Sequence, residues 1–594
     1  MKVIKPLFLD ELRQAFEDAK GSEKKLNQLY DRIGKIKFMD PACGSGNFLI
    51  ITYKELRQLE IDILKELNRM GIATMYVPSV TLDQFYGIEI DDFACDVTRL
   101  SLWIAEHQMN KQLHKEIADA IRPTLPLQHA GAIVCGNALR IDWNEVLPHE
   151  KDDEVYLFGN PPYLGSAVQG REQKEDLQFL LRDEIPHYSR LDYISGWFYL
   201  AAKFSANSNS SFSFVSTNSI CQGEQVAPLW TALLKYVHIQ FAYQSFLWSN
   251  SAKNNAGVYV VIIGMIPSNK QSQNCIIWNQ DGYKRIVQSI NPYLIEGSNL
   301  IVKKSNRPLN NFPEMIKGSQ PTDGGGLIFS KDEKNNAVSN YPGLAKYFKK
   351  FVGSKEFISS CPRYVLWFSD QSYKEVQNNP LVKKRIEIVK ETRLNSKNKA
   401  TRRAAKTPFL FQHIASPYMN ANRFKQSIIV PSVSSRNRLY APMGIVDENT
   451  VISNLALLIY DAPFWLLGLL ESRMHMVWLK TVGGRLKTDY RYSAVLVYNT
   501  FPVPELSTRR KNEIEDLVWK ILDIRDEEGG TLAELYGSPL ATKNPKPMNP
   551  RLKAAHEELD QVVDRAYRDR PFKDDNERLA LLLEMYSQKV NEEK

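Results

Sequence analysis

No two cysteines in this chain stand in a CxxC spacing, and none sits in a run with histidine. The six that occur (Cys43, Cys95, Cys135, Cys221, Cys275 and Cys361) are scattered. That pattern argues against a zinc site and against a disulfide framework, and fits a reducing cytoplasm. A secretory leader is also lacking at the start, where MKVIKPLFLDEL has neither an apolar core nor a small-residue cleavage site. Long apolar runs are scarce. Gly257–Pro267 is too short to span a bilayer, and Val451–Leu470 is interrupted by Asn454 and Asp461, so it is expected to be buried core and no membrane is implied. There is no phosphate loop of the GxxxxGK[ST] kind and no Pro-Cys pair, the usual setting of the nucleophile in cytosine C5 methylation.

What is present is a long, mixed chain. Its 594 residues exceed one ordinary core, so several domains are expected. A net charge of +8 permits a polyanionic partner without demanding one. Residues 1–285 alternate apolar strand-like runs (Ile36–Met39, Phe85–Ile88, Val155–Phe158, Phe212–Ser216, His238–Tyr243, Val258–Ile263) with amphipathic stretches such as Phe48–Arg69 and Cys95–Leu113, the pattern of an α/β parallel sheet. Over 286–505 helical periodicity weakens, short β-like runs alternate with loops, and positive charge gathers at Lys383, Lys384, Arg385, Arg402 and Arg403. Residues 506–594 look helical.

Three motifs carry chemistry. In Phe38–Phe48 (FMDPACGSGNF) a strand ends in a turn whose glycines let backbone approach a ligand, and a helix starting near Asn47 would aim its amides back at it. In Tyr86–Asp91 (YGIEID), Glu89 ends a strand where it can accept hydrogen bonds from a ribose diol, although the spacing from Asp40 far exceeds the ~20 residues of a simple nucleotide-binding unit. In Val155–Tyr163 a strand ends in Asn160-Pro161-Pro162-Tyr163. The prolines remove two backbone donors, Asn160 adds a carbonyl and Tyr163 a flat ring. Together they suit a planar group bearing an NH2. Each motif alone is also compatible with a rigid turn or a helix cap.

In this order, DPACGSG, GIEID and NPPY resemble the N6-adenine DNA methyltransferases whose recognition domain follows the catalytic one. KPLFLDEL, FVSTNSICQGEQ, FLWSNSAKNNAGVYVVIIG, GRLKTDYRYS and NTFPVPEL narrow the resemblance to the MmeI-like type IIL restriction–modification family. It implies a class I (Rossmann-like) methyltransferase domain over 1–285, an α+β target-recognition domain over 286–505 and a helical region over 506–594. It further implies S-adenosylmethionine held by Asp40, Ala42, Cys43, Gly44, Gly46, Asn47 and Phe48, with Glu89 on the ribose. Asn137, in Cys135-Gly136-Asn137, stands near the cofactor adenine where an Asp is usual. The implied substrate is an adenine flipped out of double-stranded DNA, its amino group held by Asn160 and Pro161 beside Pro162. Tyr163 would stack on one face of the base and Phe246 or Trp248 on the other. The five basic residues above become candidate phosphate or base-edge contacts.

The sequence departs from the family in two places. No nuclease precedes the methyltransferase, and only MKVIK stands before PLFLDEL, where the family has a segment that helps hold the cofactor's methionine end. An upstream-encoded polypeptide is the partner that would supply either. Cytosine N4, a non-DNA substrate, and a non-catalytic DNA-recognition subunit remain rival readings.

Overall fold

Apolar residues alternate along the strands of the N-terminal half, and the alternation sends consecutive side chains into two different cores. Phe38 and Met39, Phe158 and Leu157, Val215 and Phe214, and Val260 and Val261 are each divided in this way. A sheet so divided needs helices on both faces. The computed structural model has them. It describes residues 1–72, 78–117, 132–248, 258–270, 274–415, 425–486 and 488–592, in two compact units, Met1–Ile301 and Val302–Lys594.

Among the described residues the first unit has strands β1 Lys37–Asp40, β2 Phe85–Glu89, β3 Ala132–Cys135, β4 Val155–Gly159, β5 Ser211–Thr217, β6 Val237–Trp248, β7 Val258–Pro267, β8 Cys275–Trp278 and β9 Lys284–Val287. They form one sheet in the order β3-β2-β1-β4-β5-β7-β6-β8-β9. The first five run parallel, whereas β7 is antiparallel to both β5 and β6. The sheet is therefore mixed where the sequence suggested a parallel one. The cause is that β7 pairs back on β6, its predecessor in the chain, and so enters the place beside β5 in the reverse direction. Helices α1 Asp10–Ala19, α2 Glu23–Ile33, α3 Asn47–Arg69 and α4 Asp92–Glu116 cover one face; α5 Trp143–Val146, α6 Arg171–Leu181, α7 Ser195–Asn207 and α8 Val226–Leu233 cover the other. A π-helix, Lys5–Leu9, leads into α1 and buries Phe8, whose ring centroid lies 4.9 Å from that of Tyr156. Chain order reverses between β1 and β4, the place where open α/β sheets form a crevice at the carboxyl ends of the strands.

The second unit contains, among its described residues, two four-stranded sheets and one of three strands. Val451, Ile452, Ala456 and Leu458 are buried as expected, and Asn454 and Asp461 fall in the turns that bound strand Ala456–Tyr460. Although helical periodicity is weak over 286–505 in the sequence, the α+β character implied for it is present. Helices occupy Lys331–Asn340, Pro380–Leu394, Phe464–Leu470 and Arg473–Val482. The second was hard to see because its buried stripe, Val382, Ile386 and Val389, ends on Arg393. That guanidinium is fully buried and donates to the carbonyls of Pro321, Thr322, Ala404, Thr407 and Leu410. Two of the basic residues singled out as nucleic-acid contacts also serve the fold. Arg385 pairs with Glu333 at 2.8 Å and lies over Phe329, and Arg402 donates to the carbonyls of Ser396 and Lys397. Among the described residues no helix is long and apolar enough to cross a membrane.

Helix Arg473–Val482 is fixed through a buried histidine. His475 Nδ1 lies 2.8 Å from the Leu470 carbonyl, so it carries the proton and donates. Nε2 then accepts from the Tyr492 hydroxyl at 2.9 Å. Burial pushes the His475 pKa down to about 3. Below the ordinary value of 6.5 the unfolded chain therefore gains a proton that the folded chain refuses, and stability is lost as pH falls. Compared with His475→Gln in denaturant titrations, the histidine form should lose ~1.4 kcal/mol per pH unit from about 6.5 downward and show no relative change above it; a pH-independent difference would contradict a neutral buried imidazole.

Candidate active site at the carboxyl edge of the sheet

The turn after β1 is built around a buried carboxylate. Asp40 is 1% exposed, and its Oδ1 accepts from the Ala42 amide at 3.0 Å. Oδ2 is buried and has no hydrogen-bond partner among the described residues. Burial raises its pKa to about 7, and the charge of Glu89 adds to the effect. The turn then passes through Gly44 and Gly46 with φ of +54° and +79°. Gly46 faces Thr98 so closely that a Cβ there would lie 2.7 Å from its methyl group, and a Cβ on Gly44 would meet nothing within 4 Å. The Gly44 edge is thus open to a ligand, and the Gly46 edge is closed by α4. Cys43 is buried, and burial pushes its thiol pKa up. Ala42 is half-buried, and Asn47 is exposed at the start of α3. Phe48 packs on Phe158 with 6.2 Å between ring centroids.

β4 delivers the second loop against the first. A Cβ on Gly159 would lie 2.4 Å from Asp40 Oδ1, so only glycine fits there. Asn160 and Pro162 are exposed, Pro161 is buried, and Tyr163 is half-buried against the core that carries α5–α8. The next residue is gripped at both polar groups. The Leu164 amide donates to Asp192 Oδ1 at 2.8 Å, and its carbonyl accepts from the Tyr193 amide at 3.0 Å.

The loops after β2 and β3 complete the edge. Glu89 accepts from the amides of Gly44 (2.9 Å), Ile90 (2.9 Å) and Asp91 (3.2 Å). Asp91 caps α4 through the amides of Phe93 and Ala94. Of the two acids in YGIEID, one is therefore a helix cap and the other faces the glycine turn. Ile90 and Phe93, not singled out from sequence, are 70% and 74% exposed beside Glu89. An apolar residue directly after the strand-ending acid was the available signal. Asn137 donates to Asp176 at 2.9 Å and accepts from the Leu139 amide at 2.9 Å, so its amide is engaged within the protein.

The two candidate stacking aromatics are not brought face to face with Tyr163. Phe246 packs against the core carrying α1–α4, the opposite face from Tyr163, with the Lys2 ammonium 4.4 Å from its ring centroid. It lies near the end of β6, and a β-bulge between Tyr243 and Phe246 breaks the alternation and puts it on the same face as Tyr243. Trp248 ends β6, and its side chain lies outside the described residues.

A glycine turn after the first strand, an acid ending the second and Asn-Pro-Pro-Tyr after the fourth, on a sheet covered on both faces, define a Rossmann-like class I methyltransferase fold. Family comparison agrees: residues 16–279 match the model for the MmeI DNA-methyltransferase domain, 296–505 the MmeI target recognition domain and 506–592 the MmeI C-terminal domain. The chain belongs to the MmeI family, as the resemblance in its sequence implied. It is 53% identical over 591 residues to DNA methyltransferase A of Bacillus subtilis (strain 168), covering 99% of this chain and 65% of that one. It thus spans just under two thirds of that relative's length. Among solved structures it is similar to the type IIL restriction–modification enzyme MmeI in complex with DNA, at 39% identity and a TM-score of 0.86, over 99% of this chain and 77% of that one.

Since the Asp40–Gly159 contact has no room for a methyl group, Gly159→Ala should destabilise the first unit by ~1–3 kcal/mol, an ordinary overpacking cost. Thermal denaturation measures this, and an unchanged transition would mean that the two strand ends are not in contact.

Proposed function

We propose that the chain is a site-specific DNA methyltransferase that moves a methyl group from S-adenosylmethionine to N6 of adenine in double-stranded DNA, within a restriction–modification or other phage-defence system. The observation that carries this reading is the meeting of Asp40 with Gly159, which sets the glycine turn and the NPPY loop side by side at one edge.

The donor set suits the cofactor. The Oδ2 of Asp40 is a buried acceptor with no hydrogen-bond partner among the described residues, and it suits a positively charged ligand. The open side of Gly44 offers backbone to that ligand. Glu89 supplies acceptors for a ribose diol, and Ile90 and Phe93 supply apolar surface for a purine. Asn137 would reach such a purine only by changing partners. When bound, S-adenosylmethionine supplies a methyl group already activated on sulfur, so the protein needs neither a nucleophile nor a metal for the transfer.

The chain's own groups act on the base. The Asn160 side-chain carbonyl and the Pro161 backbone carbonyl accept hydrogen bonds from the adenine amino group and orient its lone pair for in-line attack. Pro161 and Pro162 have no N–H to compete for those acceptors. Tyr163 stacks on the extruded base; stacking of this kind is worth ~1–3 kcal/mol and offsets part of the cost of flipping. The second unit selects the DNA site. Arg385 and Arg402 serve its fold, so Lys383, Lys384 and Arg403 are the better candidates for DNA contact within that cluster.

Incubation with unmodified bacterial DNA and methyl-labelled S-adenosylmethionine should place label in N6-methyladenine, and Asn160→Ala should lower the rate at least ~100-fold. Label in N4-methylcytosine would overturn the choice of base, and no label despite cofactor binding would overturn the activity. A second expectation follows from Asp40. A cationic ligand must displace the proton that the carboxyl holds below about pH 7, so cofactor affinity should fall up to ~10-fold per pH unit below 7 and be flat above it. Calorimetry in buffers of different ionisation enthalpy should detect the released proton, and Asp40→Asn should abolish it. Binding with no pH dependence would mean Asp40 does not meet the cofactor's charge.

A further inference from the structure

Three loops meet at the carboxyl edge, and one side-chain cluster joins all of them from behind. Asp176, on α6, is 6% exposed. It accepts from Asn137 Nδ2 at 2.9 Å, from Arg140 Nε at 2.7 Å and from the Tyr193 hydroxyl at 2.7 Å. The first two belong to the loop after β3. Tyr193 belongs to the segment that grips the residue following the NPPY motif, since its amide donates to the Leu164 carbonyl at 3.0 Å while neighbouring Asp192 accepts from the Leu164 amide. The Tyr193 ring meets Trp197 edge to face, with 5.2 Å between centroids. Trp197 Nε1 in turn donates to the Pro41 carbonyl at 3.0 Å, inside the glycine turn.

We propose that Tyr193 and Asp176 are positioning residues that couple the cofactor-facing loops to the NPPY loop, so that cofactor and target DNA each tighten the binding of the other. The inference rests on the function proposed above. The physical basis is that Tyr193 and Asp176 are both buried, so a movement that parts them leaves the Tyr193 hydroxyl buried without its acceptor. A shift of the β3 loop or of the glycine turn, each made by cofactor contact, is therefore carried to Leu164 and the adjoining Tyr163. The Tyr193 hydroxyl is the narrowest part of this connection. Tyr193→Phe cuts the link to Asp176 but keeps the ring on Trp197.

The test compares cofactor affinity in the absence and presence of a duplex carrying the site that the methylation assay identifies, with sinefungin as the unreactive cofactor analogue. The unmodified chain should bind sinefungin at least ~5-fold more tightly with DNA present, the low end of ordinary coupling. Tyr193→Phe should reduce that gain to under ~2-fold while its DNA-free affinity and melting temperature stay close to those of the unmodified chain. Asp176→Asn should also remove the gain, and the double variant should lose no more of it than Tyr193→Phe alone, as expected for residues in one connection. A gain that survives Tyr193→Phe, or no gain in the unmodified chain, overturns the coupling but leaves the methyltransferase reading intact. Failure of the unmodified chain to bind sinefungin at all would overturn the functional reading and this inference with it.

Discussion

Asp40 is buried against a position where no residue but glycine can stand. Placing a carboxylate in that contact costs desolvation, visible in the raised pKa, and a single amide hydrogen bond from Ala42 offsets only part of it. What the arrangement achieves is proximity. β1 and β4 are neighbours in register, Met39 beside Leu157, and the missing side chain at Gly159 lets the loops that follow them leave the sheet in contact. A methyl group's width between them would part the glycine turn from Asn160. The remaining features of the edge depend on this contact: the glutamate at the end of β2 reaches the turn's Gly44 amide, and the loop after β3 reaches back to α6 through Asp176.

The rest of the first unit holds that contact rigid. Strands with apolar side chains on both faces are fixed from two sides, and neither core can relax without disturbing the other. Loops at the edge have no such support, and the structure supplies it with buried polar groups: Asp192 under Leu164, Asp176 under Asn137 and Tyr193, and the Trp197 indole on Pro41. Side chains of this kind set geometry more than they add stability, because each would be costly if left unpaired and gives little net gain when paired.

Much of this was legible in the sequence, for a definite reason. The six strands expected from apolar runs all occur within a few residues of their expected limits, and so do the helices expected at Phe48–Arg69 and Cys95–Leu113. A strand buried on both faces reads as a contiguous apolar word, and the motifs are contiguous words as well. What stayed hidden depends on residues far apart in the chain. β3 offers only four residues, with two of them exposed. The reversed direction of β7 is a matter of pairing, which no local pattern records. Asp176, Asp192 and Tyr193 look like ordinary residues of a polar stretch until the fold brings them beneath the motif loops. Phe246 is aromatic and close to the right edge, but a β-bulge after Tyr243, which no local pattern records, turns it to the other face.

Positive charge was the least reliable guide. Arg393, Arg385 and Arg402 lie in the most basic part of the sequence, yet each has its guanidinium engaged by carbonyls or a carboxylate of its own unit. Arginine suits this role because its planar fork can satisfy several acceptors at once, whereas lysine presents a compact, strongly hydrated charge. A cluster of basic residues therefore overstates the charge presented to a polyanion whenever arginine dominates it and loops with unsatisfied carbonyls lie nearby. The argument extends to other DNA-recognition domains rich in irregular backbone. There the lysines and the arginines without internal acceptors define the electrostatic footprint, and the remainder of the basic sequence belongs to the fold.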